Sequence, residues 1–321
     1  MGEAPLAVVI PVYNDRESAR RLLVELDRSL ASAGIAGPIH ILLVNDDSSE
    51  PLDGLTEDFQ PTAVTRVERV DLTRNLGHQR AICVGLVKAG ELDAVRAVVV
   101  MDGDGEDRPE DVPTLLEECA RHEPTRIVFA ERTRRSEGGV FRVFYRLYCF
   151  LHVVLTGIPV RVGNFSVVPG VRLPGLLTVS EIWNHYAAGV FVAQIPRVQI
   201  PTVRGERYAG QSRMNFAGLV MHGLSALSVH APRTSVRMLV GAVLLTLLSG
   251  LATPALSLAG LPAAADLAAV ATAFLLLVSI QSFFLTLLVL GARSTTGFLP
   301  ARDGPRFVRE TVVLLDRTEE S

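Results

Sequence analysis

Cysteine is scarce in this sequence, and its few occurrences fit neither a disulfide framework nor a zinc site. Cys83, Cys119 and Cys149 are odd in number and show no metal-ligand spacing. We therefore expect reduced, buried thiols and a cytosolic catalytic portion. The sequence also has no basic segment before its first apolar run, which ends at Pro11, so no secretory signal peptide is expected.

A strong excess of charge of either sign is missing as well. The formal net charge is −3 at pH 7, and all but one of the 31 basic side chains are arginines. A nearly balanced charge gives no argument for a nucleic-acid partner. Hydrophobic residues, in contrast, make up 49% of the 321 residues, which is enough for a large core with apolar residues to spare.

The apolar surplus is concentrated in two stretches without charged side chains, 238–261 and 267–292. Each is roughly 35 Å long as a helix, and a bilayer core is about 30 Å thick. Two buried core helices are the alternative, but such helices normally carry a polar stripe. The sequence therefore predicts two membrane-spanning helices, with a kink at Pro254 and with Gln281 facing the partner helix.

The arginines around these stretches predict the orientation. Arg233 and Arg237 precede the first span and Arg293 follows the second, whereas the connector 262–266 has no basic residue. Positive residues stay on the cytoplasmic side, so both termini and the catalytic part are expected in the cytoplasm, at the inner or plasma membrane. Two short spans with few polar anchors can pack against copies of themselves. A homo-oligomer is therefore one of the two assemblies that the sequence allows, the other being a monomer.

Upstream of residue 216, apolar patterning alternates between strand and helix. Strands are predicted at 6–11, 39–44, 64–72, 95–101 and 127–130, and helices at 17–32, 77–89 and 110–122. This alternation predicts an α/β fold with a mostly parallel, Rossmann-like sheet. The carboxyl ends of such strands share one edge, where ligands bind. The predicted organisation is a catalytic domain over 1–215, an interfacial helix over 216–235, transmembrane helices over 236–292 and a cytoplasmic tail over 293–321.

The central candidate site is Asp102-Gly103-Asp104, directly after the strand 95–101. Two carboxylates this close repel each other unless a cation binds them. Their oxygens suit a hard ion such as Mg²⁺ or Mn²⁺, which in turn can hold a diphosphate. The alternative is a polar turn before the helix near Pro109, with Asp107 as its cap.

Two further polar clusters follow the first two strands. Pro11, Tyr13 and Asn14 end the first strand, and Asn45-Asp46 ends the second. The Asp46 carboxylate can accept a hydrogen bond from a nucleobase or ribose, and the Tyr13 ring can stack near the base. The alternative for Asp46 is a cap on a helix over 52–59.

A third cluster, Arg74-Asn75-Leu76-Gly77-His78, follows the strand 64–72. Gly77 permits close backbone approach at a helix N-terminus, which attracts phosphate. An ordinary cap-region residue is an equal alternative for His78.

In this order the motifs resemble those of the family 2 inverting glycosyltransferases with a GT-A fold. They are most similar to the polyprenyl-phosphate branch, which includes dolichol-phosphate mannose synthase-like and undecaprenyl-phosphate sugar transferase-like enzymes. Gly163-Asn-Phe-Ser166 and Arg207-Tyr-Ala-Gly-Gln-Ser-Arg213 extend the resemblance to about residues 6–235. It implies transfer of a sugar, with inversion, from a nucleotide-diphosphate sugar to a polyprenyl phosphate, for cell-envelope glycan assembly.

The resemblance also implies roles for individual residues. The implied nucleotide-sugar-binding residues are Pro11, Tyr13, Asn14, Asp46, Arg74, Asn75, Gly77, His78, Asp102 and Gly103. The implied ligands of Mg²⁺ or Mn²⁺ are Asp102, Asp104 and Glu106. The catalytic candidates are Asp104, Arg132, Arg207, Ser212 and Arg213. The acceptor phosphate is already ionised, so the arginines are expected to bring it beside the anomeric carbon.

Because of three departures from the family pattern, the resemblance does not identify the sugar or the base of the donor. Asn45 replaces the first aspartate of the usual Asp-Asp pair, Glu106 replaces the usual Gln, and Asn164 and Ser166 interrupt the usual Gly-Asp-Phe-Arg. One alternative function is transfer to a hydroxyl of a lipid-linked or surface glycan, with a base from the cluster of Glu181, Trp183 and His185. The other is a catalytically inactive membrane protein that binds nucleotide sugars.

Overall fold

The computed structural model describes residues 4–121, 125–132, 139–159, 162–209, 216–295 and 298–318. Within them, eight strands form one sheet in the order β7-β5-β6-β4-β1-β2-β3-β8. The strands are β1 Leu6–Val12, β2 Ile39–Asn45, β3 Arg66–Leu72, β4 Ala97–Val100, β5 Ile127–Arg132, β6 Val162–Pro169, β7 Arg197–Thr202 and β8 Val308–Asp316.

Continuous apolar sequence explains why the middle of the sheet is parallel. Every residue of β1 and β4 is buried, as is nearly all of β2, and strands covered on both faces are typical of parallel sheets. β1 runs parallel to β2 and β4, and β2 runs parallel to β3. The carboxyl ends of these four strands therefore lie along one edge, as the sequence predicts.

Ten helices are present in the described residues. They are α1 Arg16–Ser32, α2 His78–Gly90, α3 Val112–Arg121, α4 Gly139–Thr156, α5 Leu173–Leu176, α6 Tyr186–Val192, α7 Phe216–Val229, α8 Ala231–Leu258, α9 Pro262–Thr295 and α10 Pro300–Asp303. α1 and α3 contribute to the apolar core on one face of the sheet, and α2 and α6 to the core on the other.

The chain divides into two compact units. The first comprises Met1–Gly138, Arg161–Ser225 and Phe298–Ser321, and the second comprises Gly139–Val160 and Ala226–Gly297. The first unit contains the sheet. The second contains α4, α8 and α9.

The C-terminal strand β8 is an element that the sequence did not predict, since only a tail is expected for 293–321. β8 pairs antiparallel with β3 and becomes the outer strand of the sheet. The Arg66 Nη1 lies 2.6 Å from Asp316 Oδ2, and the Thr56 hydroxyl donates to the Leu314 carbonyl oxygen over 2.9 Å. The β-branched and apolar run 311–315 was the signal available in the sequence.

An aromatic stack fixes the residues that precede β8. Trp183, the last residue of the 3-10 turn Ser180–Trp183, lies 4.5 Å from the Phe298 ring and 4.9 Å from the Phe307 ring, between centroids. The Arg80 guanidinium lies 5.5 Å from the Trp183 ring centroid. Ring packing and strand pairing thus both hold the C-terminal segment against the rest of the first unit.

In the second unit, α8 and α9 form a hairpin joined by a turn at 259–261. Ala231–Leu258 and Pro262–Val289 are long and apolar enough to cross a bilayer, with mean hydropathies of 2.0 and 2.2. Hydroxyl groups join the two helices: Thr272 donates to the Ser249 Oγ over 2.9 Å. The prediction that Gln281 faces the partner helix is wrong because that side chain is exposed, and the predicted connector 262–266 is the first turn of α9.

Candidate functional site

The loop after β4 folds over the end of β1. The main-chain N–H of Asp102 donates to the Asp107 carboxylate over 2.9 Å, and Asp107 is buried. Gly103 lies so close to β1 that a Cβ there would come within 3.2 Å of the Pro11 carbonyl oxygen. The alternative that Asp107 is the helix cap is wrong, because the 3-10 turn Pro109–Asp111 has Arg108 as its N-cap residue and no side-chain cap.

Asp104 is held by its own loop and by a distant arginine. Its Oδ1 accepts the Glu106 main-chain N–H over 2.9 Å, and its Oδ2 lies 2.5 Å from the Arg207 Nη2. Burial raises the pKa of Asp104, and the neighbouring carboxylate of Asp102 raises it further. Two ionised carboxylates, Asp102 and Asp104, therefore destabilise the folded protein at this position unless a cation offsets their charge.

This donor set fits a divalent cation in part. Asp102 and Asp104 supply oxygens, and Mg²⁺ is usually held by one or two carboxylates together with substrate phosphates. In the part of the chain that the structure describes, no group of three His, Cys, Asp or Glu side chains forms a metal site. The Glu106 Oε2 instead accepts from Arg204, over 3.1 Å from Nε and 2.6 Å from Nη2.

A polar network joins Asp102 to α2 and β6. The His78 Nε2 lies 3.1 Å from the Asp102 Oδ1 and 3.1 Å from the Asn164 Nδ2. The Gln79 amide donates to Asn164 over 3.2 Å and accepts the Tyr186 main-chain N–H over 2.7 Å. Burial lowers the pKa of His78, but the Asp102 carboxylate opposes this and the net shift is upward. Asn164 is therefore part of the site, a role that the sequence motifs did not predict.

Asp46 organises the turn that leads into α2. Its two carboxylate oxygens accept the main-chain N–H groups of Leu76 and Gly77, over 2.7 and 2.9 Å, and Gly77 has a positive φ of 90°. Burial raises the pKa of Asp46. The alternative role as a cap for a helix over 52–59 is wrong, because those residues form turns.

The Asn45 side chain is hydrogen-bonded to a buried carboxylate, that of Asp71, which was not predicted from the sequence to be near it. The Asn45 Nδ2 donates to the Asp71 Oδ1 over 2.6 Å, and Asp71 also accepts from the Arg69 Nε over 2.9 Å. The Asn45 Oδ1 accepts the Ser48 main-chain N–H over 3.0 Å. A carboxylate at position 45 would face that of Asp71, which explains this departure from the family pattern.

We therefore expect Asn45→Asp to destabilise the protein by about 2–3 kcal/mol at neutral pH, because it replaces a buried donor with a second anion. The loss should lessen as the pH falls and one carboxyl group takes up a proton. Thermal unfolding of the purified protein between pH 7 and pH 5 measures this. Asp58→Asn, a change at an exposed carboxylate, is the control, and equal stabilities at pH 7 would contradict the prediction.

The remaining polar residues that follow β1 and β3 differ in exposure and in hydrogen bonding. The Tyr13 ring is 45% exposed beside β1, as a stacking surface would be. The Asn14 Oδ1 accepts the main-chain N–H groups of Ser49 and Glu50, over 2.7 and 3.1 Å, so this side chain holds the loop after β2. Arg74 and Asn75 are exposed on the turn before α2.

Several predicted catalytic groups fall outside the described part of the chain. Arg132 ends β5, opposite Thr202 of β7, and its backbone alone is described. Ser212 and Arg213 lie outside the described residues. Among the predicted catalytic arginines, Arg207 is the one whose side chain is described, and it lies beside the Asp102–Asp104 loop.

The side chains that could act as a base in the hydroxyl-acceptor alternative have local partners. The His185 Nδ1 accepts the Ala188 main-chain N–H over 3.3 Å and caps α6. The Glu181 carboxylate accepts from the Ser180 hydroxyl over 3.0 Å. Trp183 is part of the aromatic stack.

Comparison with known proteins gives matches in sequence and fold. YkcC of Bacillus subtilis (strain 168), an uncharacterized glycosyltransferase, is 28% identical over 70% of this chain and 69% of its own length. The undecaprenyl-phosphate 4-deoxy-4-formamido-L-arabinose transferase of Klebsiella pneumoniae (strain 342) is 26% identical over 67% of this chain. The match spans 64% of that transferase, less than two thirds of its length. A solved structure of a mycobacterial protein has a TM-score of 0.50 at 15% identity, covering 72% of this chain and 75% of that one.

The family model "Glycosyl transferase family 2" matches residues 7–166. That range begins in β1 and ends in β6, so it includes the Asp102–Asp104 loop, the turn before α2 and Asn164. The resemblance seen in the motifs is therefore confirmed, and so is the mostly parallel sheet of the GT-A type. Through the domain at residues 7–166, this chain belongs to glycosyl transferase family 2.

Proposed function

We propose that this protein is an inverting glycosyltransferase that transfers a sugar from a nucleotide-diphosphate sugar to a polyprenyl phosphate at the cytoplasmic face of a membrane. One observation carries the proposal: the family 2 domain presents the carboxylates of Asp102 and Asp104, with Arg207 beside them, in a chain that also forms an apolar hairpin. The Klebsiella relative, named as an undecaprenyl-phosphate sugar transferase, supports the choice of acceptor.

The donor is proposed to bind along the strand ends. The diphosphate lies beside Asp102, Asp104 and the N-terminus of α2, and the nucleoside lies toward Tyr13 and Asp46. Mg²⁺ or Mn²⁺ on the two aspartates would offset the negative charge that the leaving nucleotide diphosphate gains. Arg207 adds a positive charge that can pair with a phosphate oxygen, and His78 is proposed to border the same group.

A phosphate acceptor suits this site because a phosphate is already ionised and needs no strong base. This choice is supported by the local hydrogen bonds that the Glu181 carboxylate and the His185 Nδ1 accept. Arg132, Ser212 and Arg213 remain our candidates for binding the acceptor phosphate against the repulsion of the diphosphate.

The hairpin gives the proposed membrane topology. The chain leaves the first unit at residue 225 and returns to it at residue 298, which supports a hairpin whose two ends lie on the same side of the bilayer. The arginine distribution supports the cytoplasm as that side. Exposed apolar side chains on α4 and α7, such as Phe150 and Met221 at 64% and 65% exposure, suit contact with the lipid surface.

Transfer from a panel of UDP- and GDP-sugars to undecaprenyl phosphate, with and without Mn²⁺, tests the proposal on the detergent-purified protein. We expect one donor to give a lipid-phosphate-linked sugar of inverted anomeric configuration, and EDTA to stop its formation. Undecaprenol, which lacks the phosphate, is the matched acceptor control. Transfer to a glycan hydroxyl with polyprenyl phosphate inert would overturn the assignment.

A further inference from the structure

The segment that follows β7 is attached to the Asp102–Asp104 loop by its main chain. The Gly205 N–H donates to the Glu106 carbonyl oxygen, and the Tyr208 N–H donates to the Asp104 carbonyl oxygen, both over 2.9 Å. A Cβ on Gly205 would come within 2.3 Å of the Gly105 carbonyl oxygen, and one on Gly105 within 2.7 Å of the Tyr208 ring. Gly105 and Gly205 thus let the two backbones approach to hydrogen-bonding distance, which a side chain at either position would obstruct.

Side chains reinforce the same contact. Arg204 donates twice to the Glu106 Oε2, over 3.1 and 2.6 Å, and Arg207 lies 2.5 Å from the Asp104 Oδ2. The side chains of Glu106 and Arg204 are 15% and 32% exposed, so this pair is largely removed from water. Breaking a pair of this kind leaves one charge buried without compensation, unlike an exposed surface pair.

The charges around the loop explain why such a pair is needed. Asp102, Asp104 and Glu106 bring three carboxylates into five residues, whereas the family pattern has an uncharged Gln at the third position. With the Arg204 guanidinium on Glu106, the extra negative charge is neutralised. Arg207 lies three residues later in the same segment and places its Nη2 2.5 Å from the Asp104 Oδ2.

We infer that Arg204 and Glu106 are positioning residues: their ion pair holds the segment 203–208 on the loop, delivers Arg207 to Asp104, and makes Glu106 an anchor for the segment instead of a metal ligand. This replaces the sequence-based assignment of Glu106 to the metal. It rests on the proposed function only in taking Asp102 and Asp104 as the cation ligands.

The test compares Arg204→Gln, Glu106→Gln and the double variant of the full chain in detergent, without added metal and with MnCl₂. Hydrogen–deuterium exchange of peptides covering 203–208 reports whether the segment stays attached, and Mn²⁺ titration reports the metal site. The control pair is Arg121→Gln with Glu117→Gln, which breaks an ion pair of the same 2.6 Å length whose side chains are 64% and 63% exposed.

We expect each single variant to raise amide exchange of the segment roughly 10- to 100-fold, as loss of a hydrogen bond to a charged group implies. The double variant should be no worse than Glu106→Gln alone, because that single change already removes both the Arg204 ion pair and the 3.8 Å contact between Glu106 Oε1 and Arg207. Mn²⁺ affinity should stay within about twofold of the unmodified protein. The control pair should leave exchange of the segment unchanged.

Two results would overturn the inference. One is unchanged exchange of 203–208 in both single variants, and the other is a tenfold or greater loss of Mn²⁺ affinity in Glu106→Gln that Arg204→Gln does not share. Neither amide exchange nor Mn²⁺ affinity requires sugar transfer. Failure of the polyprenyl-phosphate assay would therefore contradict the proposed acceptor but would not bear on the role of the Arg204–Glu106 pair. Where transfer is measured, Arg204→Gln should raise the donor KM more than it lowers kcat, and Arg204→Lys should restore part of the loss.

Discussion

Asp104→Asn is expected to lower sugar transfer by about 100- to 1,000-fold, the range seen when one charge-stabilising group is removed from an active site. The variant keeps the shape of the side chain and its hydrogen bond to the Glu106 N–H, but it loses the negative charge. That charge is proposed to hold the cation opposite the leaving diphosphate. The fall should therefore appear in kcat and should not be recovered by raising the donor concentration.

Stability should change little in the same variant. Burial and the Asp102 carboxylate already make an ionised Asp104 unfavourable, so removing the charge relieves repulsion while it gives up the Arg207 ion pair. Initial-rate assays with saturating Mn²⁺ and a thermal melt measure the two effects. Glu110→Gln, a change at an exposed carboxylate on the following turn, is the control. Activity within a factor of a few of the unmodified protein would contradict a role for Asp104 in catalysis.

Deleting residues 298–321 is expected to remove most of the stability of the first unit. The deletion takes away β8, which leaves the main-chain groups of the β3 edge without partners. It also removes the half-buried Phe298 and Phe307 rings from the Trp183 stack, and fully burying one phenylalanine side chain contributes about 1.5–3 kcal/mol. The lost strand and the two lost rings together are a large share of the stability of a typical domain, about 5–15 kcal/mol.

Tryptophan fluorescence measures this directly, because Trp183 is the only tryptophan in the chain. We expect the deletion to shift its emission to longer wavelength as the ring becomes exposed, and to lower the unfolding temperature. Deletion of 319–321 alone is the control, since it leaves every described helix and strand in place. An unchanged emission spectrum and melting temperature would show that the C-terminal segment is dispensable.

The sequence was informative wherever one local pattern decides a structure. Buried apolar runs of β1, β2 and β4 predicted the strands, and their polar endings predicted which side chains meet at the edge of the sheet. Asp102 and Asp104 were found this way because their position depends only on the end of β4. The apolar helices α8 and α9 were equally clear from composition.

Contacts between distant segments were not predictable by these means. Arg204 and Glu106 are 98 positions apart, and Asn164 is 86 positions from His78. Nothing local to either residue shows its partner, since an arginine after a strand is usually a solvated charge. Asp71 was missed for a similar reason: it lies inside a predicted strand, and only the register of β2 and β3 brings it to Asn45.

The position of β8 in the sheet sets the order in which the sheet can be completed. A ribosome makes β1 to β7 first, then α8 and α9, and β8 only after both helices. Until β8 is made, the outer edge of β3 has no antiparallel partner. The sheet of the first unit therefore reaches its final strand order only after the two apolar helices have been synthesised.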